Sequence, residues 1–394
     1  MKQTTYADSG VNVELGDEVS KMLYEAAKHT WVNRKGKLGE VIVPFDDFSG
    51  IRYIDVAGLP EGTVMNISFD GVGTKMQMAE GINDHRTIAH DLIAMVCDDA
   101  VVRGGEPVLV GSILDVNSLE DAEKKPFFDQ VRQLAEGYIT AGKAANVAIV
   151  NGEVAELGSR VQGYGPFNYN WGASVVWFAN KDRLFTGKEI KVGDTLVGLR
   201  EEGFGSNGLS LVRKIMEGNH GDEWHRVLWK EGPKNLGEHV LTPCRIYSKA
   251  VVDMFGGYDL EVEPKAEVHG VAHITGGGLP GKIGRMLKPS GLGAFIEEPF
   301  EPSEFMLYTQ ALGNVADEEA YGTWNMGQRM VIATPEPGEV IRTAAEYGIF
   351  AQRIGYVKFE PGIKIVNRGA FCPDRTRELD AMSPHSKGPE ILEY

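Results

Sequence analysis

The residues best suited to chemistry lie between Met65 and Pro107. A short apolar run, Met65 to Phe69, reads as a strand, and Asp70, Gly71, Gly73, Thr74 and Lys75 follow it. Glycines in such a loop let backbone N–H groups converge on an anion, and the lysine puts charge at its far end. The GxxxxGK[ST] spacing of a P-loop is absent, and an ordinary strand-to-helix turn is the competing reading. The next segment, Arg86 to Val102, spaces Ile88, Leu92, Ile93, Met95, Val96, Val101 and Val102 as a buried helix does. It also carries Asp91, Asp98 and Asp99. At ~100° per residue, Asp91 and Asp98 fall within about 20° of each other two turns apart, with Asp99 displaced by roughly 80°. Like charges on an apolar helix raise each other's cost of ionisation. A divalent cation removes that cost, and Mg2+ is commonly held by a few carboxylates together with nucleotide phosphates. A helix with one solvated acidic edge is the alternative.

These groups need elements to hold them. Upstream, Asp17 to Lys28 reads as a helix, and Pro44 to Gly50 (PFDDFSG) reads as a connecting loop that a lid could also use. Downstream, Val108 to Leu114 reads as a strand, Phe127 to Ala141 as a helix and Val147 to Val150 as a buried strand. Glu153 and Glu156 are then expected just beyond that strand's carboxyl end, where ligands collect in α/β proteins. Glu153, directly after Gly152, is the better metal-ligand candidate, while a solvated turn carboxylate is the other reading of Glu156. Ala173 to Ala179 reads as one more strand before the composition turns polar, which sets a domain boundary between Asn180 and Lys191. Two further strand–glycine loop–helix units follow. One runs Thr195 to Leu199, EEGFGSNG, Leu209 to Met216; the other runs Val271 to Ile274, TGGG at 275–278, Lys282 to Leu287. Recurrence of this layout favours a shared small-anion site, although each loop alone is compatible with a tight turn. His269 and His273 are spaced i, i+4 in a strand-like setting, which argues against zinc and for a hydrogen-bonded histidine near a ligand or in the core.

A chain of 394 residues exceeds one average core, so two domains are expected. With 42% hydrophobic and 24% charged residues it is an ordinary globular composition. The net charge of −16 argues against a nucleic-acid partner. Cys97, Cys244 and Cys372 are far apart, with no CxxC, which suits a reducing compartment. Acids at Asp8, Glu14, Asp17 and Glu18 do not fit a signal peptide, and no apolar run approaches the ~20 residues of a membrane span. No membrane association and a cytoplasmic location are expected.

Taken together, the motifs resemble those of the aminoimidazole ribonucleotide (AIR) synthetase, or phosphoribosylformylglycinamidine cyclo-ligase, family of purine biosynthesis. The match runs in one order from Tyr6 to Lys358. It takes in YADSGV (6–11), DGVGTK (70–75), DLIAMVCDDAVVRGGEP (91–107), NGEVAE (151–156), GSNGLSLVRK (205–214), TPCRIYSK (242–249), VHGVAHITGGG (268–278), WNMG (324–327) and RIG (353–355). The resemblance implies a mixed α/β (α+β) fold of two domains, 1–180 and 181–361, followed by an extension, 362–394, with Arg375, Thr376 and Arg377 midway. It implies a homodimer through a sheet or barrel of the N-terminal domains, and ATP-dependent ring closure of formylglycinamidine ribonucleotide. It further implies ATP on Asp70, Gly71, Gly73, Thr74, Lys75, Asp91, Ser206, Asn207, Thr275, Gly276 and Gly277. Mg2+ would be held by Asp91, Asp98 or Asp99, and Glu153, with Lys75, Asn207 and His273 at the reacting centre.

The chain also departs from the resembled pattern. Gly205 stands where a histidine precedes SNG, Arg329 stands at a glycine position, DDFSG replaces a glycine-rich lid near residue 48, and Asn151 replaces a glycine. These departures bear on the substrate side more than on the ATP side, and Arg329 is expected to point outward into solvent. Other ATP users of the superfamily fit less well. A hydrogenase-maturation relative would end in cysteine rather than PEILEY, and a selenophosphate synthetase would carry a cysteine before Cys97. A thiamine-phosphate kinase would not explain SNGLSLVRK or HITGGG, and a non-catalytic nucleotide-binding paralogue is the rival from another class.

Overall fold

The computed structural model describes residues 12–43, 52–230, 232–373 and 390–394. The segment 6–11, the loop 44–50 and residues 375–377 singled out above lie outside the described residues. The chain divides into two compact units. The first comprises Met1–Ala100, Glu106–Ala179 and His225–Lys249; the second comprises Val101–Gly105, Asn180–Trp224 and Ala250–Tyr394.

In chain order the first part builds α1 (Val13–Trp31), β1 (Val41–Ile42), β2 (Tyr53–Ile54), β3 (Thr63–Gly71), α2 (Lys75–Ile82), α3 (Ile88–Val101), β4 (Glu106–Val116), α4 (Phe128–Ala145), β5 (Ala148–Glu156) and β6 (Tyr169–Asn180). A four-stranded sheet, in the order β3-β6-β4-β5, is its frame. β4 and β5 are parallel, a pairing that needs a crossover, and α4 supplies it. The α4 sequence explains its placement. Val131, Leu134, Ala135, Tyr138 and Ala141 recur at three- and four-residue spacing and are buried, and Asn146 ends the helix in the left-handed region. Each fully buried leucine or valine contributes about 1.5–3 kcal/mol relative to exposure. α1 is capped by the Asn12 side chain, which accepts the Leu15 N–H at 3.2 Å.

The sheet has one covered and one open face. Along β6, Tyr169, Trp171, Ala173, Val175 and Trp177 are buried while Asn170 is exposed, the period-two alternation of a one-sided sheet. β5 does not stop at Val150 but continues to Glu156, pairing Glu153 with Ile113 and Glu156 with Val116 of β4. Asn151 and Glu153 fall on the open face, where water satisfies polar side chains, so the turn-like NGE sequence can stay in the ladder. Glu156 is no free turn carboxylate, because it accepts the N–H groups of Asn12 and Leu119 at 3.0 and 2.9 Å.

The remaining elements are β7 (Thr195–Arg200), α5 (Leu209–His220), α6 (Leu236–Val240), α7 (Ser248–Phe255), β8 (Gly270–His273), α8 (Gly278–Leu287), β9 (Gly293–Ile296), α9 (Glu304–Leu312), α10 (Asp317–Thr323), β10 (Gln328–Thr334), α11 (Pro337–Glu346), β11 (Ala351–Lys358), β12 (Ile363–Val366) and β13 (Ile391–Glu393). The second unit is built on a seven-stranded sheet, β13-β12-β9-β11-β7-β10-β8. Its inner strand β10 is buried at every position, and α11 packs on β7 and α8 on β8. α8 starts four residues earlier than its apolar pattern suggests. Pro280 is tolerated there because a first-turn N–H has no intrahelical partner.

Two boundaries differ from those expected from sequence. His225–Lys249 packs with the first unit, where Thr242 and Leu241 carbonyls accept from Lys75 and Thr87. The end of the chain is not a separate extension, since β12 pairs with β9 and β13 adds an edge strand to β12. Among the described residues no helix is long and apolar enough to cross a membrane.

Candidate active site

In the first unit β3 ends at Gly71, and the chain turns through Gly73, whose φ of 74° is one a side chain would resist, into α2. Asp70 lies at the strand's end and its Oδ1 accepts the Gly71 N–H at 2.7 Å. Thr74 is the N-cap residue, so the Gly71–Thr74 backbone leads into a helix N-terminus. Lys75 does not stand at the loop mouth. Its ammonium is fully buried, 2.7 Å from Asp91 Oδ1 and 2.6 Å from the Thr242 carbonyl oxygen. The same carboxylate oxygen accepts from Cys244 Sγ at 2.6 Å. Helical spacing correctly placed Asp91 and Asp98 on one side of α3, but that side faces the core.

Asp98 is committed to backbone. Its Oδ1 accepts the N–H groups of Tyr247 and Ser248 at 3.0 and 2.8 Å, taking up donors that a helix start leaves unsatisfied. Asp99 is exposed. Glu153 stands on the open sheet face beside Ile113, whereas Asp91 lies close enough to Tyr169, on the covered face, to help push the tyrosine pKa up. The four expected metal ligands are therefore not brought together, because strand alternation puts Glu153 on the opposite side of the sheet from Asp91. Among the described residues no group of three or more His, Cys, Asp or Glu side chains could hold a metal ion. Glu153 instead shares an open-face cavity of about 670 Å3 with Asp70, Gly71, Asn151 and Asn170.

In the second unit the loops before α5 and α8 carry the remaining candidates. Ser206 and Asn207 lie between Gly205 and Gly208, and the Asn207 Oδ1 is buried with no hydrogen-bond partner. Thr275 is buried, while Gly276 and Gly277 are exposed just ahead of the α8 N-terminus. His273, at the end of β8, accepts the Arg329 Nε–H at its Nε2, 3.2 Å away. Arg329 is 1% exposed and points inward, contrary to the expected outward placement. A bulge in β10 between Gln328 and Met330 re-aims it, a feature that composition does not reveal. His269 is held between Asp194 and Glu267, each at 2.7 Å, and is not part of a zinc pair with His273.

Sequence reasoning also missed a buried ionisable cluster in the first unit. Glu80 accepts the N–H groups of Tyr164 and Tyr169 at 3.2 and 3.0 Å, and burial lifts its carboxyl pKa to about 7. His85 lies 3.0 Å from the Tyr169 hydroxyl, and burial lowers its pKa to about 4. No spacing rule marks them, because the tyrosines they meet, Tyr164 and Tyr169, lie 84 to 89 positions away.

Comparison with known proteins fixes the family. Residues 53–174 match the family model "AIR synthase related protein, N-terminal domain", and residues 191–366 match "AIR synthase related protein, C-terminal domain". The phosphoribosylformylglycinamidine cyclo-ligase of Symbiobacterium thermophilum is 35% identical over 92% of this chain and 97% of its own. That of Methanocaldococcus jannaschii is 34% identical, covering 90% and 92%. Among solved structures, E. coli HypE superposes with a TM-score of 0.58 at 16% identity, covering 89% of this chain and 93% of its own. A hydrogenase maturation protein HypE in complex with ATP gives 0.54 at 14%, covering 80% and 84%. Those two likenesses establish the fold, and the family models and cyclo-ligase relatives establish kinship: the chain belongs to the AIR synthase related protein family.

Proposed function

We propose that the protein catalyses ATP-dependent cyclisation of formylglycinamidine ribonucleotide to 5-aminoimidazole ribonucleotide, releasing ADP and phosphate, in the cytoplasm. The observation that carries this reading is the match to cyclo-ligases over nine-tenths of both chains. The chemistry asks little of an enzyme nucleophile. The formyl oxygen attacks the γ-phosphorus of ATP and ADP departs. The ribose-bearing nitrogen then adds to the activated formyl carbon, and phosphate leaves with the former formyl oxygen. Such a reaction is driven by positioning and by electrostatic stabilisation of phosphoryl groups. The glycine loops at 71–74, 205–208 and 275–278 supply backbone N–H groups for that purpose, with Asn207 and Thr275 as polar side chains beside them. Purified protein given ATP, Mg2+ and the ribonucleotide should form product and ADP one to one. ATP hydrolysis without ring formation would overturn the reading.

Mg2+ spreads the charge of nucleotide phosphates when bound. Asp91 and Asp98 are unsuited to hold it here, being buried and hydrogen-bonded to Lys75 and to backbone. Glu153 offers a carboxylate to an open-face cavity that it shares with Asn151 and Asn170, hard oxygen donors of the kind this ion takes. Glu153→Gln should raise the Mg2+ concentration for half-maximal turnover at least about tenfold, ~1.4 kcal/mol. An unchanged requirement would remove Glu153 from the assignment.

A homodimer through the first unit completes the proposal. Met65 and Phe69 of β3 are 62% and 72% exposed, and Ile67 and Ile113 add to the same open face. An apolar sheet face of this kind marks an interaction surface. Sedimentation at micromolar concentration should give a dimer that Phe69→Glu dissociates, and a stable wild-type monomer would contradict it.

A further inference from the structure

The outermost strand of the second unit is attached differently from its neighbours. The match to the family's C-terminal domain ends at Val366, the last residue of β12, so β13 lies beyond it. β13 pairs antiparallel with β12, yet residues 367–390 intervene, where hairpin loops take about two to five. A short turn dictates register, and a connection of this length does not, so the strand's own contacts must set it.

Those contacts are specific. Ile363 and Tyr394 exchange both N–H···O bonds at 2.9 Å, and the Asn367 N–H is donated to the Glu390 carbonyl at 2.9 Å. The ladder thus runs from 390 to 394. Side chains alternate along it, with Leu392 4% exposed and Ile391 and Glu393 facing outward. Glu393 meets Lys364 at 2.6 Å, an exposed pair that orients the strand more than it stabilises it. The Tyr394 hydroxyl donates to the Glu318 carbonyl at 3.2 Å. At the other end, the buried Asn367 amide divides its two protons between Asp317 Oδ2 and Glu390 Oε2, each 2.6 Å away. Without the Glu390 carboxylate one of those N–H groups loses its acceptor. Main-chain bonds for affinity and alternate side chains for specificity are the means by which sheet edges read extended peptides.

We propose that the outer edge of β12 is a recognition site for an extended segment, which residues 390–394 occupy as a tethered resident and which a separate segment of the same chemistry can enter. The partner it fits carries an acid first, an apolar side chain third, an acid fourth and a tyrosine fifth. The tether holds the resident strand at an effective concentration on the order of millimolar, so a free partner competes only where that strand is weakened or cut loose.

The probe is the peptide Pro-Glu-Ile-Leu-Glu-Tyr, residues 389–394, added to the full chain. In Leu392→Asp a carboxylate replaces the buried side chain and should expel the resident strand. Hydrogen exchange at the Ile363 and Asn367 amides should then quicken at least tenfold, while β7 and β10 keep their wild-type protection. The peptide should bind this variant saturably in calorimetry and restore slow exchange at both amides. The peptide carrying Leu392→Asp should bind at least tenfold more weakly. The wild-type chain should also bind the unaltered peptide at least tenfold more weakly than the variant does. An open edge that takes up no peptide at about 1 mM, or that binds both peptides equally, would overturn the proposal. A second form leaves the strand's sequence intact: a protease recognition sequence placed between 374 and 389 is cut after folding. The released strand should stay bound and then exchange with fluorescent peptide. If Leu392→Asp strips protection from β7 and β10, this cut form decides. A cut strand that never exchanges, or whose departure unfolds β7 and β10, would make β13 an integral strand and β12 no recognition site.

Discussion

Asp91→Asn is expected to lower the unfolding free energy by about 3–5 kcal/mol, the largest single-residue effect in the first unit. Lys75 and Asp91 are both fully buried and 2.7 Å apart. An asparagine can still accept one hydrogen bond, but it leaves the ammonium without a counter-charge in a medium that solvates it poorly. Replacing both partners, as Lys75→Met with Asp91→Leu, should return stability to within about 2 kcal/mol of wild type, because an apolar pair owes no desolvation penalty. Urea unfolding checks this as a shift in midpoint at constant slope. An unchanged midpoint in Asp91→Asn would mean that the pair does not form. Loss of turnover in that variant must accordingly be measured against its folded fraction before Asp91 is assigned a role in binding.

The second large effect is a pH dependence centred on Glu80. Its carboxyl is raised by burial from an ordinary 4.5 to about 7 in the folded protein. The unfolded chain therefore ionises first, so stability from this group is fully present below pH 4.5 and lost as pH rises through 7, by about 3 kcal/mol. His85 runs the other way. Its pKa falls to about 4 through burial, so its contribution is present above 6.5 and lost as pH falls through 4. The two slopes oppose each other between pH 4.5 and 6.5, and wild type should vary little there on their account. Glu80→Gln removes one slope. It also loses one acceptor for the Tyr164 or Tyr169 N–H, about 1 kcal/mol at every pH. Unfolding measured at pH 5 and pH 8 should show the variant gaining about 2.5 kcal/mol relative to wild type over that interval. Parallel stability curves for the two proteins would contradict the account.

Local pattern made much of this molecule legible. The strand–loop–helix run at β3, Gly71–Thr74 and α2 follows from composition, and the apolar spacing of Arg86 to Val102 gives α3 almost to its ends. The glycine loops before α5 and α8 were likewise readable as turns into helices. Partners contributed from elsewhere in the chain were not. The spacing of Asp91 and Asp98 says that they share a helix side, yet that side meets Lys75, Cys244 and the Tyr247 N–H rather than an ion. The apolar run that ends at Val150 puts Glu153 beyond the strand, whereas the ladder with β4 continues and carries it onto the open face. Arg329 looked like a surface residue because single arginines usually are.

The most direct measurement of the central claim follows an oxygen atom. Formylglycinamidine ribonucleotide carrying 18O in its formyl group is turned over with unlabelled ATP, and the released phosphate is analysed by mass. If this protein closes the ring by phosphorylating the formyl oxygen, each phosphate formed carries one 18O, in step with aminoimidazole ribonucleotide. Phosphate without label alongside ring product would show that ATP is cleaved by water and that the formyl group is not the acceptor.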